Sequence, residues 1–140
     1  MAIYGIGCGY DGKDMGNKFY SKGLACIGWQ PGDKSFLFGI MREVDIGDIV
    51  IMKAFFQRAG KQVLRIKGVG VITDNTIRNE GKLGCCLKVK WLKYDAKGLD
   101  EVEYGNDKFD AGVQRRTSIY REYNLDICKR VVEMLIAGLS

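Results

Sequence analysis

The sequence predicts an α+β domain, a small mixed β-barrel with helices packed against it. Three observations point there. Glycine supplies 19 of the 140 residues and cuts the chain into short elements. Several short apolar runs alternate in strand fashion, and Gly68-Val69-Gly70 interrupts one of them as a bend at a barrel corner would. Two segments keep a helical period, one after Ser35 and one from Leu125 to Ala137. The length is one domain's worth, so residues 1–140 are expected to fold as a single unit.

In chain order, Met1 to Asn17 reads as an opening strand and a glycine-rich loop. Gly5-x-Gly7-x-Gly9 invites comparison with a phosphate loop, but Tyr10-Asp11-Gly12-Lys13-Asp14 reads as a turn, not the helix a dinucleotide fingerprint needs. Gly23 to Trp29 is a short apolar strand ending at Gln30-Pro31-Gly32-Asp33. Ser35 is placed as a helix cap, with Phe36, Leu37, Ile40 and Val44 on the buried face. Asp45-Ile46-Gly47-Asp48 turns into the strand Ile49 to Lys53. From Gln62 to Ile72 a further strand places Val63, Arg65, Lys67 and Val69 on one face and Leu64 and Ile66 on the other. The clearest strand is Cys85 to Tyr94, where Cys85, Leu87, Val89 and Trp91 alternate with Cys86, Lys88, Lys90 and Leu92. An acidic loop follows. The last helix carries Ile127, Val131 and Leu135 as its stripe, with Asn124 and Gly138 at its ends.

The chain has no histidine, which excludes a Ser-His-Asp triad, a Cys-His dyad and any histidine-ligated metal. No run is apolar for the ~20 residues of a membrane span. The N-terminus lacks the pattern of a signal peptide, so a cytoplasmic location is expected. Cys8, Cys26, Cys85, Cys86 and Cys128 are odd in number and include no C-x-x-C pair. All five are expected to be reduced, and no metal or other cofactor is expected.

The net charge of +5 is unevenly spread. Ile49 to Lys93 holds ten basic residues against two acids, and Asp95 to Asp110 holds six acids against two lysines. A basic middle suits a polyanionic partner, the alternative being a solvated strand face. The acids Asp100, Glu101 and Glu103 read as a solvated loop rather than paired catalytic carboxylates.

Ile27-Gly28-Trp29, a helix, Ile46-Gly47-Asp48-Ile49-Val50-Ile51-Met52-Lys53, the strand Ile66 to Thr73, then Leu87 to Leu92 follow one another in an order that resembles the EVE-like members of the PUA-like superfamily. The superfamily includes the N-terminal DNA-reading domains of McrB-type restriction enzymes and, more distantly, YTH domains. Thr117-Ser118-Ile119-Tyr120 and the final helix resemble the end of such modules, so the resemblance spans about residues 20–137. It implies a non-catalytic reader, DNA- or RNA-binding, that holds a modified or flipped base in an aromatic pocket beside a basic groove. Its output would come from an effector protein supplied in trans. The runner-up is a binder or sponge of a small free nucleotide.

On this sequence the resemblance places Trp29 as a wall of the pocket and Gly28 where the base approaches the backbone. Gln30 stands where McrB-like members often have an acid. Phe55 becomes a second wall and Lys53 a phosphate or base-edge contact. Trp91 is a third wall or a core residue, and Trp29 too has a core reading. Arg65, Lys67, Arg115 and Arg116 are the phosphate-binding candidates.

Overall fold

The computed structural model describes residues 1–30, 32, 35–104 and 117–139. The elements are β1 (Ile3–Gly7), a small hairpin of β2 (Gly9–Tyr10) and β3 (Lys13–Asp14), α1 (Gly16–Lys22), β4 (Leu24–Cys26), α2 (Ser35–Glu43), β5 (Ile49–Arg58) and β6 (Lys61–Asn79). A single 3-10 turn (Gly81–Leu83) leads to β7 (Cys85–Tyr94), β8 (Asp100–Tyr104), β9 (Ile119–Arg121) and α3 (Leu125–Gly138). The mixed α+β class is as expected.

The barrel is not. Seven strands form an open sheet in the order β4-β7-β6-β5-β1-β9, with β8 paired to β6 off that path. Its end strands, β4 and β9, have three residues each and are not bonded to one another. Closing a barrel needs a continuous ladder between its end strands. Among the described residues only β1 and β5 run parallel, and every other pairing is antiparallel.

The 19-residue β6 is the spine. Residues 62–66 pair with β8 and residues 68–79 with β7, while β5 runs along 61–71 on the other side. Along β5 the register jumps from Met52↔Gly68 to Lys53↔Ile66, so Lys67 is an extra, bulged residue. A second shift, between Val69 and Gly70, lies against β7, so the bend expected around Gly68-Val69-Gly70 is present. The bulge also corrects the expected faces. One inserted residue inverts a period-two pattern, so Val69 joins Leu64 and Ile66 in one core instead of lying with Val63, Arg65 and Lys67.

The β5–β6 hairpin turns through Ala59 and Gly60, both at positive φ (51° and 77°), between the paired Arg58 and Lys61. A two-residue loop with both φ positive prefers Asn-Gly, and alanine is strained there. Ala59→Asn is therefore expected to raise stability by about 0.5–1 kcal/mol. An unchanged denaturation midpoint would contradict this account of the turn.

Buried apolar side chains form two clusters. The larger gathers Phe19 of α1, Leu37, Phe38 and Met41 of α2, and Tyr4, Ile6, Val50, Met52, Leu87 and Trp91 of the sheet. The smaller joins Ile127, Val131 and Leu135 of α3 to Ile49, Ile51, Leu64, Ile66 and Val69. The α3 stripe is as predicted, and Asn124 Oδ1 accepts from the Ile127 amide to cap it. The α2 face is rotated: Phe38 and Met41 are inward, and Phe36 is exposed. Helix α1 was unforeseen, being seven residues whose one large buried side chain is Phe19. Asp48 clamps its turn, with Oδ1 accepting from the Ala2 amide and Oδ2 from the Asp45 amide.

The acidic segment is not wholly a loop. Residues Asp100–Tyr104 form β8, and Glu101 accepts bonds from Arg58 (2.8 Å) and Arg65 (2.8 and 3.0 Å). These guanidiniums hold the Glu101 carboxyl below its usual range. Glu103 faces Lys61 and Asp100 faces Arg130. Part of the basic middle is thus matched internally by the acidic stretch.

The cysteine expectation is also corrected. Cys26 and Cys86 are directly opposed on β4 and β7 and form a disulfide, leaving Cys8, Cys85 and Cys128 as thiols. Cysteine counting alone does not see cross-strand register. The correction removes one argument for a cytoplasmic location, since such bonds are uncommon there. Among the described residues, no helix is long and apolar enough to cross a membrane.

Candidate functional site

A cleft of about 860 Å³ opens at the end of β1, beside the middle of β5. Their parallel pairing places Gly7, the last residue of β1, beside Lys53, midway along β5. Around that point gather the β2–β3 hairpin, the segment Ile27-Gly28-Trp29 after β4, the Thr117-Ser118 approach to β9, and Lys67 from the bulge. The volume lies within the range of small-molecule sites.

Three aromatic residues line it: Tyr10, Trp29 and Phe55. Trp29 is 37 % exposed, and its indole Nε1 donates to Ser118 Oγ at 3.2 Å, which fixes the ring's orientation. Tyr10 packs edge-on against Phe19 and donates its hydroxyl to the Leu83 carbonyl at 2.9 Å. Burial raises its pKa, so it stays a neutral phenol. Gly28 has φ +76°, and a Cβ there would meet the Tyr10 ring at 3.1 Å. In this structure the close approach that Gly28 permits is to the Tyr10 ring. Phe55 lines the cleft and also packs against the smaller core.

Four lysines, Lys13, Lys53, Lys67 and Lys82, face two aspartates, Asp11 and Asp14, in the lining. Lys67 Nζ lies 2.8 Å from Asp14 Oδ2. Burial works to raise the Asp14 pKa, but the bonds from Lys67 and the Gly16 amide outweigh it and lower the value. Cys8 Sγ donates to Asp14 Oδ1 at 3.5 Å, and burial pushes its thiol up to about 11. Lys53 is only 6 % exposed. Its ammonium donates to the Thr117 carbonyl at 2.8 Å and lies 5.6 Å from the Tyr120 ring centre. Burial lowers its pKa to about 8, with a smaller opposing influence from Cys8.

Of the candidates named from sequence, the cleft brings together Gly28, Trp29, Lys53, Phe55 and Lys67. Trp91 is a core residue: it is buried, and its Nε1 donates to the carbonyls of Phe19 and Leu24, both at 3.1 Å. Its third-wall reading is withdrawn. Gln30 does not line the cleft; its side-chain amide donates to the Gly81 carbonyl. Arg65 is likewise outside the lining, bonded to Glu101 and stacked 4.9 Å from the Phe56 ring centre. Arg115 and Arg116 lie outside the described residues. Tyr10, Lys13, Asp14, Lys82 and Ser118 were not foreseen. The signals for them are the glycine run before Tyr10, whose phosphate-loop reading the turn Tyr10–Asp14 argues against, and the Thr117-Ser118 pair of the resemblance.

No family model matches the chain, and comparison with curated proteins gives no match.

Proposed function

We propose that the cleft binds a nucleotide unit and that the protein is a nucleic-acid reader. The observation that supports this is the gathering of Tyr10, Trp29 and Phe55 with four lysines in one cleft. A nucleobase needs a flat π surface, and its phosphates need cations. Trp29 suits the first role because its edge is fixed by Ser118 while much of the ring remains exposed. The lysines supply the second. In this reading the base is flipped or single-stranded, a modified base is preferred, and an effector protein acts on the bound complex.

Single-stranded DNA and RNA oligonucleotides, unmodified and methylated, titrated at two salt concentrations test the proposal. Trp29 and Trp91 are the two tryptophans, and Trp91 is buried, so stacking is expected to quench the Trp29 emission. Trp29→Ala is expected to weaken binding by about 1–3 kcal/mol while the protein stays folded. The affinity is expected to fall linearly in logarithm with log salt, by about 0.7 per phosphate neutralised. Absence of binding across the panel, or binding indifferent to salt, would sink the reading.

A second reading, a free nucleotide as the ligand, is favoured by the depth of Lys53. Mass spectrometry of small molecules released from the purified protein separates the two.

A further inference from the structure

We infer that the inner end of the cleft is a terminal-phosphate site: Lys53 receives the phosphomonoester of a nucleotide rather than an internal phosphodiester. The inference rests on the nucleotide reading above and adds the class of phosphate.

Three features of the site carry it. The first is depth. Lys53 lines the cleft yet is almost wholly buried, midway along β5 and beside the end of β1. An internal phosphodiester has chain leaving in both directions, and both continuations would have to exit past the same walls. A phosphomonoester has one substituent and can enter end-on. The second is room. Gly7, opposite Lys53, has no side chain, and a Cβ built there would lie 3.6 Å from the ammonium. An alanine there would only touch the cation, and side chains longer than a methyl would take the space beside it. The third is charge. Among the described residues the lining holds four lysines and two aspartates, two more formal cations than anions, which suits a phosphomonoester dianion, whereas a phosphodiester carries one negative charge.

Among the described residues, the groups around Lys53 include Cys8 after β1, Asp14 on β3 paired with Lys67 on β6, the Thr117 carbonyl, and Tyr120 on β9, whose hydroxyl donates to Glu122. Cys8 is neutral at physiological pH, and Asp14 is engaged by Lys67. Burial lowers the Lys53 pKa to about 8, so it binds a dianion best below that pH and loses its charge above it. A phosphomonoester becomes a dianion above about pH 6. Preference for the terminal phosphate should therefore peak between these values and decline from pH 7 to pH 9.5.

The experiment is calorimetric titration with matched probes: nucleosides against their 5′-monophosphates, and single-stranded tetranucleotides with and without a 5′-phosphate. The expected result is at least about tenfold tighter binding of each phosphorylated probe over its unphosphorylated partner at pH 7. That ratio should shrink at pH 9.5 and be lost in Lys53→Met. Mononucleotides and 5′-phosphorylated tetranucleotides distinguish a free ligand from the end of a strand. Equal affinity for phosphorylated and unphosphorylated probes overturns the inference and leaves the nucleotide reading standing. Failure of every probe to bind overturns both. The comparison between probes on the parent protein decides the matter even if Lys53→Met does not fold.

Discussion

Gly84→Ala is expected to destabilise the protein by about 3–5 kcal/mol, combining a backbone that L residues avoid with a steric clash. Gly84 sits at φ +80°, ψ −149°, just before β7. A Cβ there would lie 2.6 Å from the Trp29 amide nitrogen, 2.7 Å from the Gly28 carbonyl carbon and 2.8 Å from the Trp29 carbonyl oxygen. All three atoms are backbone, so no rotamer change relieves the contact. The segment that must move presents Trp29 to the cleft, and it is bonded to the same strand, since the Cys85 amide donates to the Trp29 carbonyl at 3.0 Å. Gly81→Ala is the matched control. Gly81 also has positive φ (63°), but nothing lies within 4 Å of its added carbon. Calorimetric melting should show a drop of roughly 10–20 °C for Gly84→Ala and a much smaller one for Gly81→Ala. Equal drops would mean that the contact with 28–29 costs nothing.

The second large effect is loss of the Cys26–Cys86 bond. The two cysteines are separated by 60 residues, and both are fully buried. Loop-closure entropy for that span gives about 4 kcal/mol. Denaturation of the oxidised protein, compared with the protein unfolded and refolded under reductant, should differ by that order. The double variant Cys26→Ala/Cys86→Ala should resemble the reduced form, with an added packing loss. A simpler count checks the bond itself. Alkylation in denaturant without reductant should modify three of the five cysteines, Cys8, Cys85 and Cys128. Modification of all five would remove the bond from the account. The bond ties β4 to the sheet immediately before Ile27-Gly28-Trp29, so its loss should also weaken ligand binding.

What could be read in the sequence was whatever repeats within a few residues. Strand β7 was legible because Leu87, Val89 and Trp91 are buried while Lys88 and Lys90 are exposed. Helix α3 was legible from its stripe and from Asn124. The Gly-Asp-Ile-Val motif stood out, and the structure gives its aspartate the work of holding a turn. What failed depends on partners distant in the chain. The disulfide requires the β4–β7 register. Strand β8 owes its order to pairing with β6 and to Arg58 and Arg65. Trp91 looked like a possible wall because its two carbonyl acceptors, on Phe19 and Leu24, lie 72 and 67 residues away. The cleft collects Gly7 to Asp14 from one end of the chain and Thr117-Ser118 from near the other, so of its lining the sequence offered only Gly28, Trp29, Lys53 and Phe55, through the resemblance, and Lys67 from the basic middle.

The extra residue in β6 separates two kinds of selection. Leu64 and Ile66 before it, and Val69 after it, are held by the core they share. Lys67 is counted by neither side of that alternation. Changing its identity alters the charge presented to the cleft without moving any neighbour to the other face. A strand committed to packing along most of its length thus keeps one position at which ligand preference can drift while the fold is conserved.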